Sequence, residues 1–131
     1  MIAPFSARFL FAVAAGSALG GVARYATGIV VHRAVGPVFP WGTLAVNLGG
    51  CFLMGLAAAW TIGRPGWTDE ARLFLMTGIL GGFTTFSTLA LETFRLIERG
   101  ALWRAFANAG LSLGVGLVAL WCGIALVRAF R

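Results

Sequence analysis

Four groups of polar residues interrupt an otherwise apolar chain, and all of them carry hydrogen-bond donors. Arg24 is a permanent cation inside an apolar stretch. Thr43 and Asn47 are four residues apart and share one helix face. The run Gly78-Ile79-Leu80-Gly81-Gly82-Phe83-Thr84-Thr85-Phe86-Ser87-Thr88 combines adjacent glycines with threonines and a serine. Asn108 and Ser112 are again four apart, and Gly116 continues their row. These groups include no paired carboxylates and no nucleophile with a base, so the chemistry on offer is recognition rather than catalysis. Neutral N–H and O–H donors suit an anion that must be held weakly enough to leave again. Phe86 fits that set, because an aromatic ring has a negative face and a positive edge. A fixed positive charge such as Arg24 at a pore mouth would attract anions.

Each group also has a plainer structural reading, left open at this level. Arg24 lies several residues from a span end, close enough to snorkel to the interface. The Asn47 amide could serve only to tie two helices together. The Gly-Thr run could be a simple kink, Phe86 an apolar filler, and the Asn108–Ser112 row a packing face.

The elements that must position these residues follow from composition. Of 131 residues, 60% are hydrophobic and 11% charged, with mean hydropathy +0.92. Soluble domains carry about 25% charged residues, enough to cover a core with polar surface. This chain lacks that surface, and a bilayer is the solvent that tolerates it. The net charge is +6 and every basic residue is arginine, yet the arginines are scattered between apolar runs and make no basic face for nucleic acid. Cys51 and Cys122 lie in apolar runs without a CxxC, and His32 stands alone, so no side-chain metal site is expected.

Four apolar segments are predicted as transmembrane helices, over about residues 9–31, 41–62, 73–96 and 105–127, forming one membrane domain across 1–131. Each is about 22 residues, which at about 1.5 Å per residue crosses a core of about 30 Å. The first begins like a signal peptide, but its apolar run is too long for one, and a retained helix is expected. The third is expected to break near mid-membrane at the Gly-Thr run, because its glycines, threonines and serine weaken helix formation there. Non-helical backbone survives at that depth only when buried in protein or lining a cavity. Half-helix ends also offer carbonyls to cations and amides to anions.

Positive charge is nearly balanced across the membrane. Arg8, Arg64, Arg72, Arg128 and Arg131 fall on one side, and Arg33, Arg95, Arg99 and Arg104 on the other, with Arg24 nearer the latter. Since arginine bias sets orientation, balance implies a mixed population and hence an antiparallel homodimer of opposed copies.

The stretches Gly20-Gly21-Val22-Ala23-Arg24-Tyr25, Pro40-Trp41-Gly42-Thr43-Leu44-Ala45-Val46-Asn47 and Gly78 to Thr88 resemble the signatures of the Fluc (CrcB) fluoride channels, and the length and four-span layout match. The resemblance implies a dual-topology antiparallel homodimer with two fluoride pores in the bacterial inner membrane. It also implies a structural Na⁺ at the dimer centre, held by the backbone carbonyls of Gly81 and Thr84. Carried over by position, Asn47 is a pore-facing amide and Phe86 the first of two pore phenylalanines. Arg24 is the vestibule arginine, Ser112 a hydroxyl of the helix-four polar track, and Thr88 a hydroxyl near the ion path. Thr43 joins the path by sharing the Asn47 face. Two positions depart from the pattern: Leu89 stands where the second phenylalanine would fall, and Asn108 where the family has an aromatic hydroxyl. Both bear on rate and selectivity.

The expected activity is passive, electrodiffusive export of cytoplasmic fluoride through a non-enzymatic channel. The competing reading is a small dual-topology proton-coupled exporter, which needs a membrane carboxylate. Glu92, near the end of the third segment, is its candidate.

Overall fold

The computed structural model describes residues 5–130, so Arg131 of the charge tally lies outside the described residues. It is all-helical. Four helices are long and apolar enough to cross a membrane: α1 (Ala7–Val35), α2 (Trp41–Thr61), α3 (Asp69–Glu98) and α4 (Leu102–Ala129). All but α2 run past both ends of the apolar segments predicted for them. Their backbone ladders continue past the apolar segments, and Arg8, His32, Arg33 and Arg128 occupy the terminal turns of α1 and α4, as interfacial anchors do.

The exterior is apolar, as a lipid-facing surface must be. Leu10, Phe11, Leu19 and Val22 of α1 and Leu113, Leu117, Val118 and Trp121 of α4 are exposed. The buried residues are mostly small or polar. Without a hydrophobic drive between helices in lipid, association falls to close packing and interhelical hydrogen bonds. α1 lies against the Leu73–Leu80 stretch of α3, and α2 lies against the Gly116–Ala129 stretch of α4. At the α2–α4 crossing the backbones nearly touch: a Cβ on Gly123 would collide with the Phe52 carbonyl and come within 2.9 Å of the Leu56 nitrogen.

Two of the helices, α3 and α4, are not uniform. Leu73–Leu80 and Leu111–Val115 are π-helical, with wider turns than their flanks. The sequence carried no signal for either. After Leu80 a single α-turn, Gly81–Phe83, leads to two extended residues, Thr84 (φ −83°, ψ 159°) and Thr85 (φ −152°, ψ 121°). Regular α-helix resumes at Phe86 and runs to Glu98.

α3 ends in a Schellman turn that folds α4 back beside it. The Gly100 N–H donates to the Ile97 carbonyl (2.9 Å) and the Ala101 N–H to the Leu96 carbonyl (2.8 Å). Gly100 supplies the φ of +72° that this turn requires. The opposite turn, between α2 and α3, is held by Arg72. Its guanidinium donates to the carbonyls of Thr61 (3.2 Å) and Arg64 (3.4 Å) and pairs with Asp69 at 3.2 Å.

Gly123→Ala and Gly114→Ala separate packing from helix propensity. Nothing lies within 4 Å of a Cβ at Gly114, so that change should leave stability unchanged or slightly higher. Gly123→Ala should force α2 and α4 apart, at a cost of about 1–3 kcal/mol. Thermal midpoints of the detergent-solubilised protein, read by size exclusion, test both.

Candidate functional site

Thr85 is the centre of the polar structure. An extended residue inside a span leaves its amide and carbonyl without helical partners, and in lipid each would be costly. The Asn47 side chain takes up both: Thr85 N–H donates to Asn47 Oδ1 at 2.8 Å, and Asn47 Nδ2 donates to the Thr85 carbonyl at 3.0 Å. A primary amide facing a peptide unit makes this pair of parallel bonds as one strand does with another. Both residues are buried.

The Thr85 side chain then starts the next helix. Its Oγ1 accepts from the Thr88 N–H (3.2 Å), a standard N-cap, and donates to Thr88 Oγ1 (3.0 Å). Thr88 therefore keeps its own hydroxyl proton for another acceptor. Because Thr85 N–H bonds Asn47, the Gly81 carbonyl one turn earlier loses its helical donor. The neighbouring Thr84 carbonyl accepts from Arg24 Nη1 at 3.3 Å. Arg24 is half-buried, so its charge is brought to the extended pair from α1 across the helix interface.

Two further polar links join the helices. Thr43 Oγ1 donates to Glu92 Oε1 at 2.9 Å, tying α2 to α3. Asn108 Nδ2 donates to Thr93 Oγ1 at 3.0 Å, tying α4 to α3. Asn108 is fully buried. Glu92 Oε2, Asn108 Oδ1 and Ser112 Oγ are buried without a hydrogen-bond partner among the described residues. Native structures rarely leave such atoms unsatisfied.

A cleft of about 640 Å³ runs along this region. Asn47, Thr84, Thr85, Phe86, Leu89, Thr93 and Ser112 line it, and no charged side chain does. It thus gathers Asn47, Thr84, Phe86, Leu89 and Ser112 of the sequence-predicted residues. Arg24, Thr43, Gly81, Thr88 and Asn108 lie outside its lining. Phe86 is 81% exposed, so its ring stands out from the single chain, whereas Leu89 is packed. Among the described residues, no three His, Cys, Asp or Glu side chains gather into a metal-binding group.

The family model for CrcB-like protein, Camphor Resistance (CrcB), matches residues 11–124. The chain belongs to this family. It is 44% identical over 117 residues to the fluoride-specific ion channel FluC of Rhizobium meliloti, covering 89% of this chain and 94% of the relative. It is 49% identical over 120 residues to the FluC of Nitrobacter winogradskyi, covering 92% and 95%. It is also 49% identical over 116 residues to the FluC of Agrobacterium fabrum, covering 88% and 93%. With four apolar helices, this CrcB-family chain is a multi-pass membrane protein.

Sequence reading missed two members of the site. Thr85 was one hydroxyl among several in its run, and only the backbone dihedrals single it out as the residue that Asn47 holds. Thr93 sits four residues after Leu89, a spacing that puts both on one helix face and could have drawn notice. Asn47 takes the interhelical role that the sequence left open, but toward backbone: its amide is committed to the Thr85 peptide unit, with one N–H left over.

Asn47→Asp keeps the bond from Thr85 N–H but sets a carboxylate oxygen against the Thr85 carbonyl. It should lower the thermal midpoint by the equivalent of about 1–3 kcal/mol. Thr85→Val keeps the backbone pairing and the branched shape but loses the cap, and should cost only about 1 kcal/mol. Melting curves of the purified variants test the order.

Proposed function

We propose that this chain forms a fluoride-selective channel that exports cytoplasmic fluoride by passive electrodiffusion. The observation that carries the reading is an uncharged, mostly apolar cleft in which a few neutral donors stand beside extended backbone inside an apolar span. Support comes from the FluC name of relatives that match nearly the full chain. Neutral donors bind an anion without trapping it, which is what conduction needs. Fluoride enters a cell as the weak acid HF and is held inside as F⁻ at neutral pH, so a passive anion path lets it out down its electrochemical gradient.

The same reading takes the functional unit to be an antiparallel homodimer with two pores in the inner membrane. The exposed Phe86 ring supports it, since a second copy would cover that ring and close the cleft. The balanced arginines support mixed orientation. On this reading the extended Thr84–Thr85 pair breaks the third span. Asn47, Phe86, Thr88 and Ser112 face the ion path with Leu89 packed beside it. Thr43 and Asn108 brace that path from behind, and Arg24 supplies positive potential near it.

A structural Na⁺ fits the residues present. Gly81 has a carbonyl freed from the helical ladder, and the Thr84 carbonyl has a second lone pair beyond its bond from Arg24. One chain offers these two oxygens, so a second copy must complete the shell. The ion would supply fixed positive charge that joins the two broken spans.

The coupled-exporter reading turns on Glu92, whose Oε2 is buried without a partner. The two separate in liposomes. Purified protein should release trapped fluoride once a potassium ionophore relieves the voltage, without a pH gradient, and should not release chloride at the same rate. Flux that needs a pH gradient and vanishes in Glu92→Gln would favour the exporter. Phe86→Ile should slow fluoride flux at least about tenfold, with the elution position of the dimer unchanged.

A further inference from the structure

Two substitutions set this chain apart from the pattern it resembles, Leu89 and Asn108, and they meet at Thr93. Leu89 and Thr93 are one turn apart on the same face of α3, and both line the cleft. Asn108 reaches Thr93 from α4. A hydroxyl has one proton and two lone pairs. Thr93 Oγ1 accepts from the Asn108 amide and has no acceptor for its own proton among the described residues. A helical threonine can return that proton to the carbonyl four residues back, and here it does not. Donation from a fully buried amide polarises the hydroxyl and strengthens it as a donor.

A second hydroxyl residue lines the same cleft from α4. Ser112 is 7% exposed, and its Oγ is buried without a partner. Ser112 and Thr93 both line the cleft, and no carboxylate lines it to repel an anion. We propose that Thr93 is an anion-coordinating residue of this channel, with its hydroxyl turned into the cleft by Asn108 and working alongside Ser112. Asn108 is the positioning residue: it touches the hydroxyl and not the ion. The pair of hydroxyls occupies the stretch of path where the second aromatic ring is absent, so hydroxyl donors take over there from ring edges. The inference rests on the fluoride-channel reading and extends it to a residue which that reading does not use.

The test is fluoride efflux from liposomes with the potassium ionophore present, using variants that elute as the wild type does. Thr93→Val keeps the shape and removes the hydroxyl, and should slow efflux about tenfold or more. Thr93→Ser keeps the hydroxyl and should stay within about threefold of wild type. Should Thr93→Val fail to elute as a single species, Thr93→Ala stands in for it with the same expected loss. Asn108→Leu should be slow by itself, and Thr93→Val/Asn108→Leu should be no slower than Thr93→Val alone, because both act through the same hydroxyl. Wild-type efflux from a variant without the hydroxyl overturns the proposal while leaving the channel reading intact. Additive losses in the double variant overturn the positioning role of Asn108. No fluoride efflux through wild-type protein overturns the channel reading and this proposal together.

Discussion

The double hydrogen bond between the Asn47 amide and the Thr85 peptide unit is the constraint on which the rest depends. A helix crossing a bilayer satisfies its own backbone, and any residue that leaves the helix must find partners elsewhere in protein. Thr85 leaves it, and Asn47 provides both partners from α2. One side chain thereby makes non-helical backbone tolerable at membrane depth. Its consequences spread outward. Thr85 becomes free to cap the helix that resumes at Phe86, the Gly81 carbonyl is released, and the Thr84 carbonyl comes within reach of Arg24.

The small residues serve the same end. Asn47 can reach Thr85 only if α2 and α3 approach closely, and a Cβ on Gly50 would run into the Thr84 side chain. α1 is drawn in the same way against the π-helical stretch of α3, where its glycines meet backbone. Wider π turns recur at functional sites in helices, and here one precedes the extended pair and the other carries Ser112. The close contacts fix where the donors stand, and the donors leave a cleft that is polar in places yet uncharged.

Polar groups in this chain divide by how fully they are satisfied. Asn47 and Thr85 are nearly spent on each other, which suits a structural core. Asn108, Ser112 and Glu92 each keep a buried atom without a partner. In a membrane such atoms cost free energy; of the three, only Ser112 Oγ carries a proton that an anion in the cleft would accept, whereas the Asn108 amide oxygen and an ionised Glu92 carboxylate accept only. On the channel reading, recognition therefore falls mainly to groups beside the clamp, joined by the one Asn47 N–H left over.

The sequence alone determined that the chain crosses a membrane four times, since 11% charged residues cannot clothe a soluble core. Its motifs pointed to the family and singled out Asn47, Phe86 and Ser112 by residue type and helical spacing. Those features are local, and local rules reach them. Which backbone group Asn47 holds, which carbonyl Arg24 meets, and that Thr93 answers Asn108 were decided only in the tertiary structure. Each joins residues between 15 and 60 positions apart, on different helices. Periodicity places a side chain on a face of its own helix but says nothing of the register between helices. That register is set by where glycines let two backbones touch.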